Sequence, residues 1–368
     1  METTAKVTEI IRELNTDWAV LTGPDSVCYA TGHVVPVEIG PSPFSGGPTT
    51  AFVGRDGSVG VVCPNTDAGG VPDAVECESY DGFACAVTDQ VENYIAAVQR
   101  LRDRLGVTGS LAVERAGFTA QLAQILSGHQ IAIDRPLALA RAVKTAAELE
   151  KLAFSGKVAA AGQEAARRVS AAGVSELVGL AHIRGVMEDM AGARCPLAGE
   201  YLSGIERTSQ LGTPPSDNVI KSGDPIVCDL APRVNGYWGD SCGSFIVGET
   251  IPEAYEQMFQ TAHAALQLAI SEIRPGLRID KLDETIRSFM KDHGYAYPHH
   301  TGHGVGTSVH EFPRILPDET STFAENMVMM VEPGSYVPGL GGLRVEYMLQ
   351  VTATGARNLT PFKIDCHL

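Results

Sequence analysis

Asn235-Gly236 is the tightest local constraint in this chain, because the dipeptide favours a two-residue hairpin turn with both central residues at positive φ. It lies inside Ile226-Val227-Cys228-Asp229-Leu230-Ala231-Pro232-Arg233-Val234-Asn235-Gly236-Tyr237-Trp238-Gly239-Asp240, two apolar runs carrying one aspartate each. With that turn, Val234 pairs with Tyr237, Asp229 faces Cys242 and Asp240 faces Ala231. Alternation puts Asp229 and Ala231 on one face of the hairpin, and Asp240 joins them. The two carboxylates become diagonal neighbours with α-carbons about 7–8 Å apart. Side chains so placed can converge on metal ions ~3.5–4 Å apart. Taken alone, the pair also fits two solvent-facing acids on an edge hairpin.

Three other segments carry candidate groups. Five of the ten histidines fall between His293 and His310, around His299-His300-Thr301-Gly302-His303-Gly304-Val305-Gly306. Glycines on both sides of His303 allow close approach of backbone or ligand. Met327-Val328-Met329-Met330-Val331-Glu332 ends a very apolar run on an acid, and Leu343-Arg344-Val345-Glu346 places Arg344 and Glu346 on one strand face. An Arg344–Glu346 contact would account for that last pair and leave Asp229, Asp240 and Glu332 unexplained, since unpaired carboxylates in such strands are costly. Four carboxylates and an imidazole, gathered together, call for two divalent cations. Mostly oxygen donors favour Mn²⁺, with Zn²⁺ or Co²⁺ also suited.

The rest of the chain frames these segments. A length of 368 residues suggests two domains, and a net charge of −16 argues against nucleic-acid and anionic-membrane partners. The N-terminal stretch lacks the apolar core of a signal peptide, and no apolar run approaches the ~18 residues of a membrane span, so a cytoplasmic protein is expected. Eight scattered cysteines without a CxxC pair agree with a reducing compartment. We place a boundary near residue 140, giving domains 1–140 and 141–368. The first reads as α/β: short strand-like runs at Trp18–Leu21 and Ser26–Ala30, a hairpin of Thr49–Val53 and Ser58–Cys63, and a helix from Thr88 to Leu105. It shows no cluster of catalytic groups. The second reads as two helices within 146–191, two more beginning near Pro252 and Ile279, and strands at Ile226–Leu230, Tyr237–Val247, Met327–Glu332 and Leu343–Val351.

From Arg141 to Thr360 the sequence resembles the pita-bread metallopeptidases, a family that includes Xaa-Pro dipeptidases, aminopeptidase P, methionine aminopeptidases and creatinase. The resemblance rests on Asp229 and Asp240 eleven residues apart, His303 in Gly-His-Gly, Glu332 in Val-Glu-Pro-Gly and Glu346 in Arg-Val-Glu. Tyr29-Ala30-Thr31-Gly32 resembles a segment of the N-terminal domain of the dipeptidase and creatinase branch. The implied fold is α+β: an N-terminal creatinase-like α/β domain followed by a pita-bread catalytic domain. Methionine aminopeptidases usually lack the first domain, and creatinase lacks the metal set. Two departures stand out. Cys242 and Gly243 replace the usual Thr and Arg after the second aspartate. Gly212 stands where Xaa-Pro enzymes present a substrate-binding histidine.

The resemblance implies a metal set of Asp229, Asp240, His303, Glu332 and Glu346, with Asp240 and Glu346 shared by both ions. A metal-bridging hydroxide would attack an amide carbonyl, Glu332 would transfer a proton, and His310 and His299 would contact the oxyanion, substrate or leaving group. Arg344 would orient Asp229 or Glu346, Gly212 and His310 would border the substrate, and His300 would be structural. Cys242 would be a small packing residue or an extra ligand, and His33 could reach a neighbouring subunit. The implied protein is a homodimer acting on a small peptide, of Xaa-Pro type. Alternatives are a hydrolase of a small non-peptide amide or other C–N bond, and a non-catalytic binding protein.

Overall fold

The computed structural model describes residues 1–37 and 42–368, in two units, Met1–Arg141 and Ala142–Leu368. The first unit runs α1 (Glu2–Glu13), β1 (Trp18–Leu21), α2 (Pro24–Thr31), β2 (Thr50–Gly54), β3 (Val59–Pro64), β4 (Glu76–Tyr80), α3 (Gln90–Leu105), β5 (Leu111–Val113), α4 (Ala120–Ile125), β6 (Gln130–Ala132) and α5 (Asp134–Ala142). The strands form a mixed sheet in the order β4-β3-β2-β1-β5-β6. Alternation divides it between two cores. Ala19, Leu21, Ala51, Val53 and Val61 pack under α1 and α2, while Trp18, Val20, Phe52 and Val62 face Tyr94, Val98 and Leu101 of α3. The expected hairpin forms, with Val53 opposite Val59. Ser26–Ala30, read from sequence as a strand-like run, is helical instead. Gly23 caps it, Pro24 opens its first turn, and Gly32 closes it at φ +75°.

The second unit opens on α6 (Ala146–Val169), begun by a reciprocal capping box between Thr145 and Glu148, and α7 (Glu176–Ala191), capped by Ser175. There follow β7 (Leu197–Ser203), α8 (Ile205–Thr208), β8 (Pro225–Val234), β9 (Tyr237–Trp238), β10 (Cys242–Ile246), α9 (Glu253–Glu272) and α10 (Ile279–Asp292). The remaining strands are β11 (Gly302–Gly304), β12 (Glu311–Ile315), β13 (Val328–Val331), β14 (Gly334–Val337), β15 (Gly341–Arg344), β16 (Tyr347–Thr352) and β17 (Gly355–Asn358). One sheet is ordered β10-β8-β7 with β9 on β8; a second is β12-β11-β13-β16-β17.

Asn235 at φ +50° and Gly236 at φ +84° make the turn, and Val234 pairs with Tyr237 as the dipeptide requires. The register continues: Leu230 accepts no break, its N–H donating to Ser241 O at 2.9 Å, and Asp229 lies opposite Cys242. Two expected strands are interrupted where the acids sit. Tyr237–Val247 breaks between Trp238 and Cys242, leaving Asp240 in the gap, and Leu343–Val351 breaks at Val345-Glu346. Ile226, Cys228 and Leu230 pack with Val158, Ala165, Ile183 and Met187 of α6 and α7, which turns Asp229 to the opposite face. Likewise Met329, Val331, Leu349 and Val351 pack with α9 and α10. Each buried apolar side chain of this size contributes about 1.5–3 kcal/mol.

Candidate metal and catalytic site

Pairing across the strands gathers the acids. Glu200 lies opposite Asp229, Asp229 opposite Cys242, and Cys242 is bridged to Glu346, whose N–H donates to Cys242 O at 2.9 Å. In-register neighbours project from the same face, so Glu200, Asp229, Cys242 and Glu346 form one row. Ser244 Oγ accepts from Arg344 N–H at 3.0 Å and fixes the strand that carries Glu346. The second sheet supplies His303, opposite Met330, and Glu332 just past the end of β13. Asp240, His303, Glu332 and Glu346 are all buried.

The donor atoms of Asp240, His303 and Glu346 lie within 4.8 Å of one another. His303 Nδ1–H donates to Gly304 O at 2.9 Å, which leaves the Nε2 lone pair directed at Asp240 (3.6 Å) and Glu332 (3.5 Å). Burial holds this imidazole neutral, its pKa lowered to about 3. A lone pair facing carboxylates is the arrangement of a metal ligand, with the backbone carbonyl setting the tautomer from behind. Burial, then neighbouring carboxylates, pushes Asp240 and Glu346 well above the usual carboxylate range. No side-chain hydrogen bond or ion pair reaches Glu346 among the described residues. The donor set therefore fits divalent cations, which would offset this concentration of acids.

Arg344 supplies the cation present on the chain. Its guanidinium bonds Asp229, reaches Glu200 at 3.2 Å and Glu332 at 3.7 Å, and donates to Tyr336 Oη at 2.9 Å. The expected contact is thus with Asp229, and Glu346 lies outside its hydrogen bonds. Asp229 is raised by burial to about 6 despite the arginine, with Glu200 and Glu332 adding to the rise. Glu332 is also penalised by burial, yet His300, His303 and Arg344 bring it down to about 2.

The histidines differ from expectation in one respect. His300, read from sequence as structural, places Nε2 2.8 Å from Glu332 Oε1. His299 is 4.0 Å from Glu332. Both its nitrogens are engaged, with Nδ1 on His300 O at 2.7 Å and Nε2 on Tyr336 Oη at 3.1 Å. Ring orientation separates these neighbours, and spacing alone carries no signal of it. His310 sits with its ring 4.1 Å from that of His303 and stays exposed beside a cavity of about 380 Å³ that Phe312 and Arg314 also line. The adjacent Glu311 is taken up by a buried ion pair with Lys144 at 2.6 Å.

Gly212 lies in an exposed loop at φ +72°, with its N–H donating to Glu200. Glu176 anchors that loop, accepting from Arg207 Nη2 at 2.8 Å and from Ser216 N–H at 2.9 Å. Sequence reasoning missed Glu200, whose signal is its register with Asp229. Cys242 is buried within the row. His33, read from sequence as able to reach a neighbouring subunit, is 1% exposed in the chain.

A buried acid–imidazole cluster between the sheets of a pita-bread fold, preceded by a creatinase-like unit, defines the class of metal-dependent hydrolases. Residues 150–353 match the profile of Metallopeptidase family M24, and the chain belongs to that family. It is 30% identical over 311 residues to the Bacillus subtilis (strain 168) protein YkvY, covering 83% of this chain and 84% of that one. It is 29% identical over 260 residues to the Xaa-Pro dipeptidase of Pyrococcus furiosus, covering 70% and 74%. Its fold matches the prolidase of Pyrococcus horikoshii OT3 with a TM-score of 0.81 at 23% identity, over 100% of both chains. It also matches the Xaa-Pro dipeptidase of Bacillus anthracis with a TM-score of 0.83 at 21% identity, over 100% and 99%. The chain is a metallopeptidase, and the family depends on divalent metals. Among the described residues no helix is long and apolar enough to cross a membrane.

Proposed function

We propose that this chain is a dinuclear dipeptidase or aminopeptidase of Xaa-Pro type. The observation that carries the reading is the convergence of Asp240, His303 and Glu346, with an unprotonated imidazole nitrogen facing buried acids. Asp229 and Glu332 complete the set. Oxygen-rich ligation favours manganese. When bound, the two ions supply Lewis acidity and an activated water for attack on an amide carbonyl. Glu332, tied to His300, carries the proton to the leaving nitrogen. His310 steadies the developing oxyanion or the substrate from its exposed side. Tyr336 and Arg344 hold His299 as a wall of the pocket, and Arg344 orients Asp229.

A second reading, hydrolysis of a small non-peptide amide, is favoured by Gly212. A side chain built there meets nothing within 4 Å, so the loop presents open space and no imidazole. The deciding experiment strips metal with a chelator, restores Mn²⁺, and assays Xaa-Pro dipeptides beside non-peptide amides. Metal-restored cleavage of Xaa-Pro dipeptides is expected, and Asp240→Ala should abolish it. Cleavage of non-peptide amides alone would establish the second reading; undiminished turnover in chelator would overturn both.

The reading includes a cytoplasmic homodimer. Free cysteines support the reducing compartment, and a first unit without clustered reacting groups among the described residues supports a scaffolding role in assembly. Light scattering at micromolar concentration should report twice the chain mass; a monomer would refute the dimer.

A further inference from the structure

Outside the acid–imidazole cluster, the described residues hold another set of unlike metal-type donors. Glu256 stands in the first turn of α9, and Cys366 and His367 follow the last strand. Their donor atoms lie within 4.8 Å of one another. Cys366 Sγ is 3.5 Å from His367 Nδ1. With Zn–S of about 2.3 Å and Zn–N of about 2.0–2.1 Å, the S···N edge of a zinc tetrahedron comes to ~3.6 Å. The observed separation therefore matches a coordination edge before any ion is added.

The backbone holds this geometry in place. Ile246 N–H donates to Cys366 O at 3.0 Å, Arg167 Nη1 donates to Asp365 O at 2.8 Å, and Arg167 Nη2 bonds His367 O. Three successive residues are thus tied to β10 and α6. Cys366 is 1% exposed, whereas the His367 side chain is 60% exposed, so one side is walled and the other open to a water ligand. Asp365 Oδ1 lies 3.3 Å from His367 Nδ1, and Lys363 holds the same carboxylate at 2.5 Å.

We propose that Glu256, Cys366 and His367 bind one zinc-type divalent cation, at a site separate from the acid–imidazole cluster, pinning residues 365–367 to α9. One sulfur, one nitrogen and one carboxylate oxygen select a borderline ion such as Zn²⁺ over Mn²⁺. On binding, the Cys366 thiol proton passes to solvent and a sulfur–metal bond forms, with no change of oxidation state.

The test titrates the metal-free full chain with Cd²⁺ and follows thiolate-to-cadmium charge-transfer absorption. Wild type should show a band from one thiolate that Cys366→Ser removes. His367→Ala and Glu256→Gln should each weaken its affinity about tenfold or more, and Asp240→Asn should leave it in place. A band unchanged in Cys366→Ser and His367→Ala, or no band at all, overturns the proposal. His367 is exposed, so its alanine variant decides the matter even where Cys366→Ser fails to fold. Because the readout is thiolate absorption, failure here leaves the peptidase reading standing, and the reverse also holds.

Discussion

Removing the charge of Glu200 would leave Arg344 with Asp229 as its main carboxylate partner on the β8 side. The guanidinium now divides itself between the two acids, and Glu200 also accepts from the Gly212 N–H. Glu200→Gln is therefore expected to draw Arg344 onto Asp229 and, on the metal set proposed above, to weaken ion binding by about 10–100-fold. Metal titration by calorimetry would check this, and an unchanged affinity would reduce Glu200 to a loop anchor. Asp229, Asp240, His303, Glu332 and Glu346 were legible because each breaks an apolar run or sits between glycines. Glu200 was not, because Leu197-Ala198-Gly199-Glu200 has no alternation to mark it as a strand residue. His300 and His299 are adjacent, and only their ring orientations reveal which one meets Glu332.

At the scale of elements, the Asn235-Gly236 turn sets the position of Asp240. Gly236 holds φ +84°, a conformation that costs an L-residue roughly 1–2 kcal/mol. Gly236→Ala should lower Tm by a few degrees and also weaken metal binding, since the register feeding Asp240 starts at this turn. Calorimetric melting with and without metal would show both effects; a lowered Tm with full metal affinity would uncouple turn from site. Register was readable here because the turn chemistry left one pairing. The break after Trp238 falls on Gly239-Asp240-Ser241, residues of low strand propensity that are hidden in the sequence by the apolar runs on either side. Ser26–Ala30 went astray for a related reason. Four apolar residues after Ser26 fit a buried strand or a short helix, and Pro24 and Gly32 decide the matter from outside the run.

For the whole molecule, proton and metal compete. Asp240 and Glu346 are pushed up by burial, so loading the ions must displace protons. Metal affinity should therefore fall as pH is lowered, by about tenfold per pH unit for each proton displaced. Calorimetry in two buffers of different ionisation enthalpy would count those protons, and a count of zero would refute the expectation. Stability of the metal-free protein carries opposing contributions. Asp229, raised to about 6, stabilises fully below its unfolded pKa of about 3.9 and loses that contribution as pH climbs through about 6. His303, lowered to about 3, contributes fully above the unfolded histidine range near 6.5 and loses it as pH falls through about 3.

The row from Glu200 through Asp229 and Cys242 is completed by Glu346, which lies far along the chain from the other three. During synthesis, the ribosome has released the hairpin aspartates long before Glu346 exists. A chain that ends before Glu346 can pair the strands carrying Glu200 and Asp229 but lacks a member of the Asp240–His303–Glu346 group. Ion capture follows chain completion and closure of the long loops between these strands. Selection of a divalent ion then falls to a folded cavity and to the ion concentrations around it, after translation has ended.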